Sequence, residues 1–282
     1  MKTVNDFVES FASQHASDLT NLDAQLLLAH VLGHPRVWLL AHKETHLTPP
    51  QLDEAEKAFA RLLAGEPLPY ILGHWEFFGL DFNVTKDVLI PRPETELLVE
   101  KAISRMTNRP EARSVADVGT GSGIIAVTLA AKLPHIRILA TDISPAALKV
   151  AKANAKKHNV ADRIEFIEAD LLPEKSRIDL LCANLPYIPT QTLRGLPIFG
   201  REPTLALDGG PDGLDIYRRL FTLSKNHLTP TAMLLCEIEE TQGNAALELA
   251  HEVFPNAFAQ IEKDLTGRDR LLEIQLQDKG RL

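Results

Sequence analysis

From residue 113 to the end of the chain, short apolar runs alternate with segments of helical period, and no other feature restricts the fold so tightly. The runs are "RSVADV", "IRILATD", "RIEFIEAD" and "IDLLCAN", and "GIIAVTLAAKL" and "SPAALKVAKANAKKH" separate the first three. Runs that are apolar at both alternating positions belong to strands covered on two faces, and helices between successive strands make those strands parallel. Three further runs follow, "TAMLLCEI", "AFAQIEKD" and "RLLEIQLQ", the last two close enough for an antiparallel hairpin. A doubly wound α/β domain of seven strands is expected.

The turn after the first strand, "VADVGTGSGIIAV", puts Gly119, Gly121 and Gly123 around Thr120 and Ser122. Glycines there let the backbone turn sharply and approach a ligand near the positive end of the following helix. The spacing differs from the Gly-x-Gly-x-x-Gly of dinucleotide folds, and a tight structural turn is the competing account. Asp142 lies about 20 residues beyond Gly121, at the end of the next strand, where a carboxylate can accept bonds from both hydroxyls of a ribose. Asp170 ends the third strand in the same way. Each aspartate alone reads as a cap or turn residue. Together, Asp117, Asp142 and Asp170 set carboxylates along one sheet edge and point to a nucleoside site. An acidic rim suits a sulfonium cofactor better than a pyrophosphate, which favours S-adenosylmethionine over NAD.

Residues 1–74 read as helices only. Val4, Phe7, Val8 and Phe11 recur at helical spacing, as do Leu52, Ala55, Phe59 and Leu62, and Asp23 can cap the apolar "AQLLLAHVL". A small helical bundle is expected here. His30/His34 and His42/His46 have the i, i+4 spacing of paired ligands, but no nearby carboxylate or Cys completes a site, so no metal is expected. Residues 75–92 alternate and are rich in aromatic and β-branched side chains, as a β-hairpin linker would be, and Pro93 and Glu94 suit the first turn of a helix opening the domain over 93–282.

The chain has 38 Asp and Glu against 30 Lys and Arg, a net charge of −8. That balance is poor for gripping duplex nucleic acid over a broad surface. Its two cysteines, Cys182 and Cys236, sit inside apolar runs and read as core thiols of a reducing compartment. With no apolar leader or run long enough for a bilayer, a cytoplasmic protein without membrane contact is expected.

The fourth strand stops on Asn184-Leu185-Pro186-Tyr187. A capped strand-end turn is the plain account. The segment also resembles the Asn-Pro-Pro-Tyr signature of methyltransferases that modify planar amide or amino nitrogens. That resemblance implies that the Asn184 side-chain oxygen and the Leu185 carbonyl each accept one N–H of the target, while Tyr187 packs on the planar group. An amide nitrogen is a poor nucleophile because its lone pair is delocalised. Two fixed acceptors push electron density onto it and orient it. Leu185 departs from the second position of the signature and adds a backbone N–H that needs a partner; Pro186 still holds it extended.

The flanking segments narrow the family. "IPRPETELLVEKA", "TDISPAALKVAKAN", "EPTLALDGGPDGLDIYRRL" and "KDLTGRDRLLEI" are similar to the protein-(glutamine-N5) methyltransferases of peptide chain release factors. The resemblance implies a Rossmann-like seven-stranded S-adenosylmethionine-dependent domain over 93–282, behind a small helical-bundle domain over 1–74 that binds the release factor. It implies methylation of the Gly-Gly-Gln glutamine of class I, bacterial-type factors, which tunes translation termination, with no sequence-specific nucleic acid as partner. Gly119, Thr120, Gly121, Ser122, Gly123, Asp142, Asp170 and Leu171 would bind the cofactor, and Arg92 and Thr95 would close over it beside Asn184. Asn184, Leu185, Pro186 and Tyr187 would hold the acceptor. Glu239, in "EIEETQG", stands where that family usually has glycine. A nucleic-acid amino methyltransferase and a binding module that retains a decayed cofactor fold are the competing classes.

Overall fold

The alternation that fills the second part of the sequence becomes a single sheet in the computed structural model, which describes residues 2–14 and 21–277. The chain divides into two units, Met1–His74 and Trp75–Leu282.

The first unit is helical: α1 (Val4–Gln14), α2 (Asn21–Leu32), α3 (Arg36–Ala41), α4 (Pro49–Leu63) and α5 (Leu68–Leu72). Phe7 and Phe11 of α1 pack their rings on Phe59 of α4, and Ala24, Leu27, Leu28 and Ala29 bury one side of α2. Asp23 lies inside the first turn of α2, because the helix already runs at Asn21. Pro49 opens α4 behind Thr48, whose backbone N–H and hydroxyl both meet the Gln51 side chain. His34 and His42 stack on the two faces of Trp38.

The boundary falls one residue into the hairpin β1 (His74–Phe77) and β2 (Leu80–Asn83), and α6 (Thr95–Thr107) follows in the second unit. Pro93 and Glu94 form the turn that leads into α6. There follow β3 (Ser114–Val118), α7 (Ile124–Lys132), β4 (Arg137–Asp142), α8 (Pro145–Lys157), β5 (Ile164–Glu168), β6 (Ile178–Ala183), the short α9 (Thr190–Leu193), α10 (Asp215–Ser224), β7 (Leu228–Glu237), α11 (Gly243–Val253), β8 (Phe258–Lys263) and β9 (Asp269–Gln275).

The strand order is β5-β4-β3-β6-β7-β9-β8, parallel except for β9, which runs antiparallel to both neighbours. Alternate residues of each central strand serve opposite cores. Val115, Leu180, Cys182 and Leu235 meet α6 and α7; Ala116, Val118, Leu181, Ala183 and Leu234 meet α10 and α11. Both positions of the pleat are therefore apolar, which is why these strands read as unbroken runs. On α10 the buried stripe is Tyr217, Leu220, Phe221 and Ser224. Leu223 lies off that stripe and is 43% exposed.

The topology fixes where a ligand can sit. The chain leaves β3 toward β4 and β5, then returns to lay β6 on the other side of β3. This reversal opens a crevice beyond the C-terminal ends of β3 and β6, the usual ligand site of an open α/β sheet. Val118 pairs with Ala183, so Gly119 and Asn184 emerge side by side at that point.

Candidate active site

At the end of β3 the backbone turns through Gly119 and reaches Gly123, both with positive φ. Positive φ favours glycine at each, and so does the space around them. A Cβ on Gly119 would lie 2.7 Å from Leu185 Cδ2, and one on Gly123 would lie 3.1 Å from Ala151 Cβ. The N–H groups of Gly119 and Thr120 both donate to the Thr141 carbonyl, folding the loop over the end of β4.

Asp142 lies at the end of β4 with Oδ2 accepting from Gly121 N–H at 2.9 Å and Oδ1 accepting from Ser144 N–H at 2.8 Å. Burial raises its pKa, against the opposing pull of these N–H donors. Ser144 caps α8 through Ala147 N–H, with Pro145 in the first turn. Asp170 lies two residues beyond β5, exposed, and is bonded to Arg219. Leu171 follows, buried and at positive φ, its carbonyl accepting the Thr141 hydroxyl.

Asp117 corrects the sequence reading. It lies inside β3 rather than on the rim, fully buried, with Oδ2 accepting the Thr120 hydroxyl at 2.6 Å and Ala126 N–H at 3.0 Å. Burial pushes its pKa up to about 6. It braces the glycine loop from beneath and faces no ligand.

Beyond β6, the extra N–H of Leu185 has a partner. It donates to the buried hydroxyl of Tyr217 at 3.3 Å, and that hydroxyl is also bonded to the carbonyls of Ala183 and Glu237. One phenol from α10 thus ties the ends of β6 and β7 together. Asn184 Nδ2 donates to Thr95 Oγ1 at 2.9 Å, and the Tyr187 hydroxyl donates to Glu237 Oε1 at 3.2 Å. Gln242 Nε2 donates to the carbonyls of Tyr187 and Asp212, which ties the loop after β6 to the "DGGPDG" segment. Glu239 needs no glycine-like backbone: it is not among the positive-φ residues described, and its carboxylate caps Thr241 N–H.

These pieces enclose a cavity of about 240 Å³, far more than the roughly 10–15 Å³ that one water needs. Of the residues singled out in the sequence, Arg92, Thr95, Gly119, Thr120, Gly121, Ser122, Asp142, Asp170, Leu171, Asn184, Leu185 and Pro186 line it. Gly123 and Tyr187 do not; the first packs on α8 and the second braces the loop from behind. The cationic lining residues, Arg92 and Arg219, are paired with Glu202 and Asp170. With its cations neutralised and Asp142 in its wall, the cavity fits a positively charged nucleoside ligand such as S-adenosylmethionine and offers little to a pyrophosphate.

Sequence reasoning missed three contributors. Glu202 is buried and holds the wall: Oε1 accepts from Arg92 Nη2 at 2.6 Å and Oε2 from Ile90 N–H at 3.0 Å. Tyr217 reads as one more apolar position of α10. Glu237 is fully buried at the end of β7, and the only signal for it was a charge directly after the apolar "AMLLC".

Comparison with known proteins gives matches over most of the chain. Residues 6–73 match the PrmC N-terminal domain, and residues 93–190 match the ribosomal protein L11 methyltransferase (PrmA) model. The release factor glutamine methyltransferase of Moorella thermoacetica is 47% identical, covering 88% of this chain and 89% of its own. That of Geobacter sulfurreducens is 38% identical, covering 96% and 95%. Among solved structures, the N-terminal domain of human METTL16 in complex with SAH aligns over 96% of this chain and 95% of its own, with a TM-score of 0.51. At 18% identity that likeness concerns the fold alone.

Proposed function

Because the chain belongs to the release factor glutamine methyltransferase family, we propose that it transfers a methyl group from S-adenosylmethionine to the side-chain amide nitrogen of the Gly-Gly-Gln glutamine in class I bacterial-type release factors. S-adenosylmethionine, when bound, supplies an electrophilic methyl carbon on a sulfonium. We assign the segment Gly119–Ser122 and Asp142 to its nucleoside and sugar, Asp170 and Leu171 to its base, and Arg92 and Thr95 to the remaining wall.

The observation that carries the reading is Asn184, a primary amide that lines the cavity beside the glycine loop and whose NH₂ end is already engaged by Thr95. Its Oδ1 and the Leu185 carbonyl accept the two N–H groups of the glutamine amide, and Pro186 keeps Leu185 extended. Two acceptors on one NH₂ raise the electron density of the nitrogen and point it at the methyl carbon. The new C–N bond forms as the old C–S bond breaks, and the nitrogen then releases one proton to solvent. No strong base is required, because the proton leaves after the nitrogen has gained its fourth bond.

A protein acceptor suits a chain of net charge −8. We read the helical unit, residues 1–74, as the part that holds the release factor, and the cytoplasm as the place of work. Among the described residues no helix is long and apolar enough to cross a membrane. The test is transfer of labelled methyl to purified release factor, beside a copy whose Gly-Gly-Gln glutamine is alanine. Label on the first and none on the second is expected. Equal label on both, or none on either with cofactor still bound, refutes the acceptor.

A further inference from the structure

The "DGGPDG" segment, residues 208–213, has no part in the reaction above, yet it lies backbone to backbone against the loop that carries Asn184 and Leu185. Ile188 N–H donates to the Leu207 carbonyl at 3.0 Å, Gly209 N–H to the Ile188 carbonyl at 2.9 Å, and Thr190 N–H to the Gly210 carbonyl at 2.9 Å. A Cβ on Gly209 would lie 2.7 Å from the Pro186 oxygen, and one on Gly213 would strike the Tyr187 oxygen. We infer that Gln242 is a positioning residue for methyl transfer. Through the Tyr187 carbonyl it holds the loop after β6 where Asn184 Oδ1 and the Leu185 carbonyl meet the acceptor amide; this rests on the reading of those two oxygens as the groups that hold that amide.

Gln242 is buried, and both ends of its amide are engaged by backbone. Nε2 donates to the Tyr187 carbonyl at 2.9 Å and to the Asp212 carbonyl at 3.2 Å, while Oε1 accepts from Glu239 N–H at 3.1 Å. Turned over, the amide would set its oxygen against two carbonyls and its NH₂ against an N–H, so one orientation alone satisfies the site. A single side chain just before α11 therefore joins three segments: the acceptor loop, "DGGPDG" and the turn after β7.

Between Asn184 and Tyr187 the loop has little freedom of its own. Pro186 fixes its own φ and restricts Leu185 to extended backbone. Leu185 N–H is held by Tyr217 and the Asn184 side chain by Thr95, both near the β6 end. These leave a tilt of the stiff segment about that end, and the Tyr187 carbonyl is the far point at which the tilt is stopped. The Tyr187 hydroxyl also meets Glu237, but through a ring joined to the backbone by two rotatable bonds; the bond from Gln242 acts on the backbone itself. A displacement of about 1 Å at the acceptor can lower the rate on the order of 10²-fold. Neither Gln242 nor any residue of 208–213 lines the cavity, so loosening this tie disturbs the acceptor side and leaves the cofactor side in place.

The experiment compares Gln242→Glu, Gln242→Met and Thr190→Val with the native enzyme. It measures kcat and KM for methyl transfer to release factor, and calorimetric titration with S-adenosylmethionine gives Kd and the number of competent sites. Gln242→Glu keeps the shape and an acceptor for Glu239 N–H but sets a carboxylate oxygen against two carbonyls. Gln242→Met removes the polar atoms at similar volume. Both are expected to lower kcat per cofactor-binding site by about tenfold to a hundredfold, with Kd within about threefold and KM within about fivefold. Thr190→Val removes the bond from the Thr190 hydroxyl to Asp208, a tie between the same two segments beyond Ile188, and is expected to keep kcat per site within about threefold. A merely structural Gln242 would reduce the number of sites and leave kcat per site native. Native kcat per site in both Gln242 variants, a loss that follows Kd instead, or an equal loss in Thr190→Val each overturns the assignment. Asn184→Ala separates the two layers. If it leaves transfer intact, the reading of the acceptor site fails, whereas loss with Asn184→Ala and native kcat per site in the Gln242 variants sinks the positioning role alone.

Discussion

Tyr217→Phe isolates the hydroxyl that makes leucine workable at position 185. The ring is fully buried, and its hydroxyl accepts from Leu185 N–H and bonds the carbonyls of Ala183 and Glu237. Phenylalanine fills the same volume, so no cavity term enters. What remains is one buried N–H without a partner and one carbonyl stripped of its donor. Each unmade bond costs about 1–3 kcal/mol, and a carbonyl's second lone pair softens its share, so the total should be about 2–4 kcal/mol. Leu185→Pro removes the N–H itself, and the extended backbone before Pro186 tolerates a proline. In that background Tyr217→Phe should cost about 1–2 kcal/mol less, and the cycle subtracts the packing lost with the leucine side chain. Urea unfolding followed by Trp75 fluorescence, with Trp38 replaced by Phe, reads the second unit. Equal costs in the two backgrounds would refute the claim that Tyr217 serves the Leu185 N–H.

Three further outcomes follow from the same geometry. Gly119→Ala puts a methyl 2.7 Å from Leu185 Cδ2 at a positive φ that costs an L-residue about 1–2 kcal/mol. Calorimetry should show S-adenosylmethionine binding weakened at least about tenfold, with Leu185→Ala recovering only part. Glu202→Ala frees Ile90 N–H and Arg92 together. The lost charge-assisted bonds should cost about 2 kcal/mol, seen as a lower unfolding midpoint and faster proteolysis of the segment 88–92. Stability should fall as pH rises, because buried Glu237 and Asp117 are raised to about 7 and about 6 from 4.5 and 3.8, so the folded state holds protons that the unfolded state releases. Each contribution is complete below the unfolded value and gone above the folded one, on the order of 3 kcal/mol per group. Glu237→Gln should flatten the slope of unfolding free energy between pH 5 and 8, and an unchanged slope would count against its raised pKa.

How much of this was legible depended on whether the partner of a residue was local. The sheet was legible because two-sided burial makes each strand an unbroken apolar run, and the crevice was legible because Gly119, Asp142 and Asn184 mark strand ends in the sequence itself. The inward face of α10 is not legible in the same way, since a ten-residue helix carries too few apolar positions to fix its rotation without knowing what covers it: Tyr217 and Phe221 are buried while Leu223 is exposed. Leu185 looked like a liability until its N–H met Tyr217, whose position in the sequence predicts nothing about that contact. Glu239 looked like a misfit in a glycine position, but a residue there needs only an ordinary turn, which its own carboxylate caps.

The carboxylates divide along a line that composition cannot draw. Asp142 and Asp170 reach the cavity, while Asp117 and Glu237 lie beneath it, yet all four come near the end of an apolar strand run and read alike. Depth is what separates them, and depth changes what a carboxylate does. At the rim it can accept from a ligand. Beneath the rim it has only the protein's own donors: Asp117 takes Thr120 and Ala126 under the glycine loop, and Glu237 takes Tyr187 behind the loop after β6. When ionised, such a carboxylate only accepts and gives the hydroxyl bonded to it one orientation, so each of these groups braces the loop it lies under. The desolvation seen in the raised pKa of each is the cost of that order, and it falls on stability rather than on the geometry of transfer.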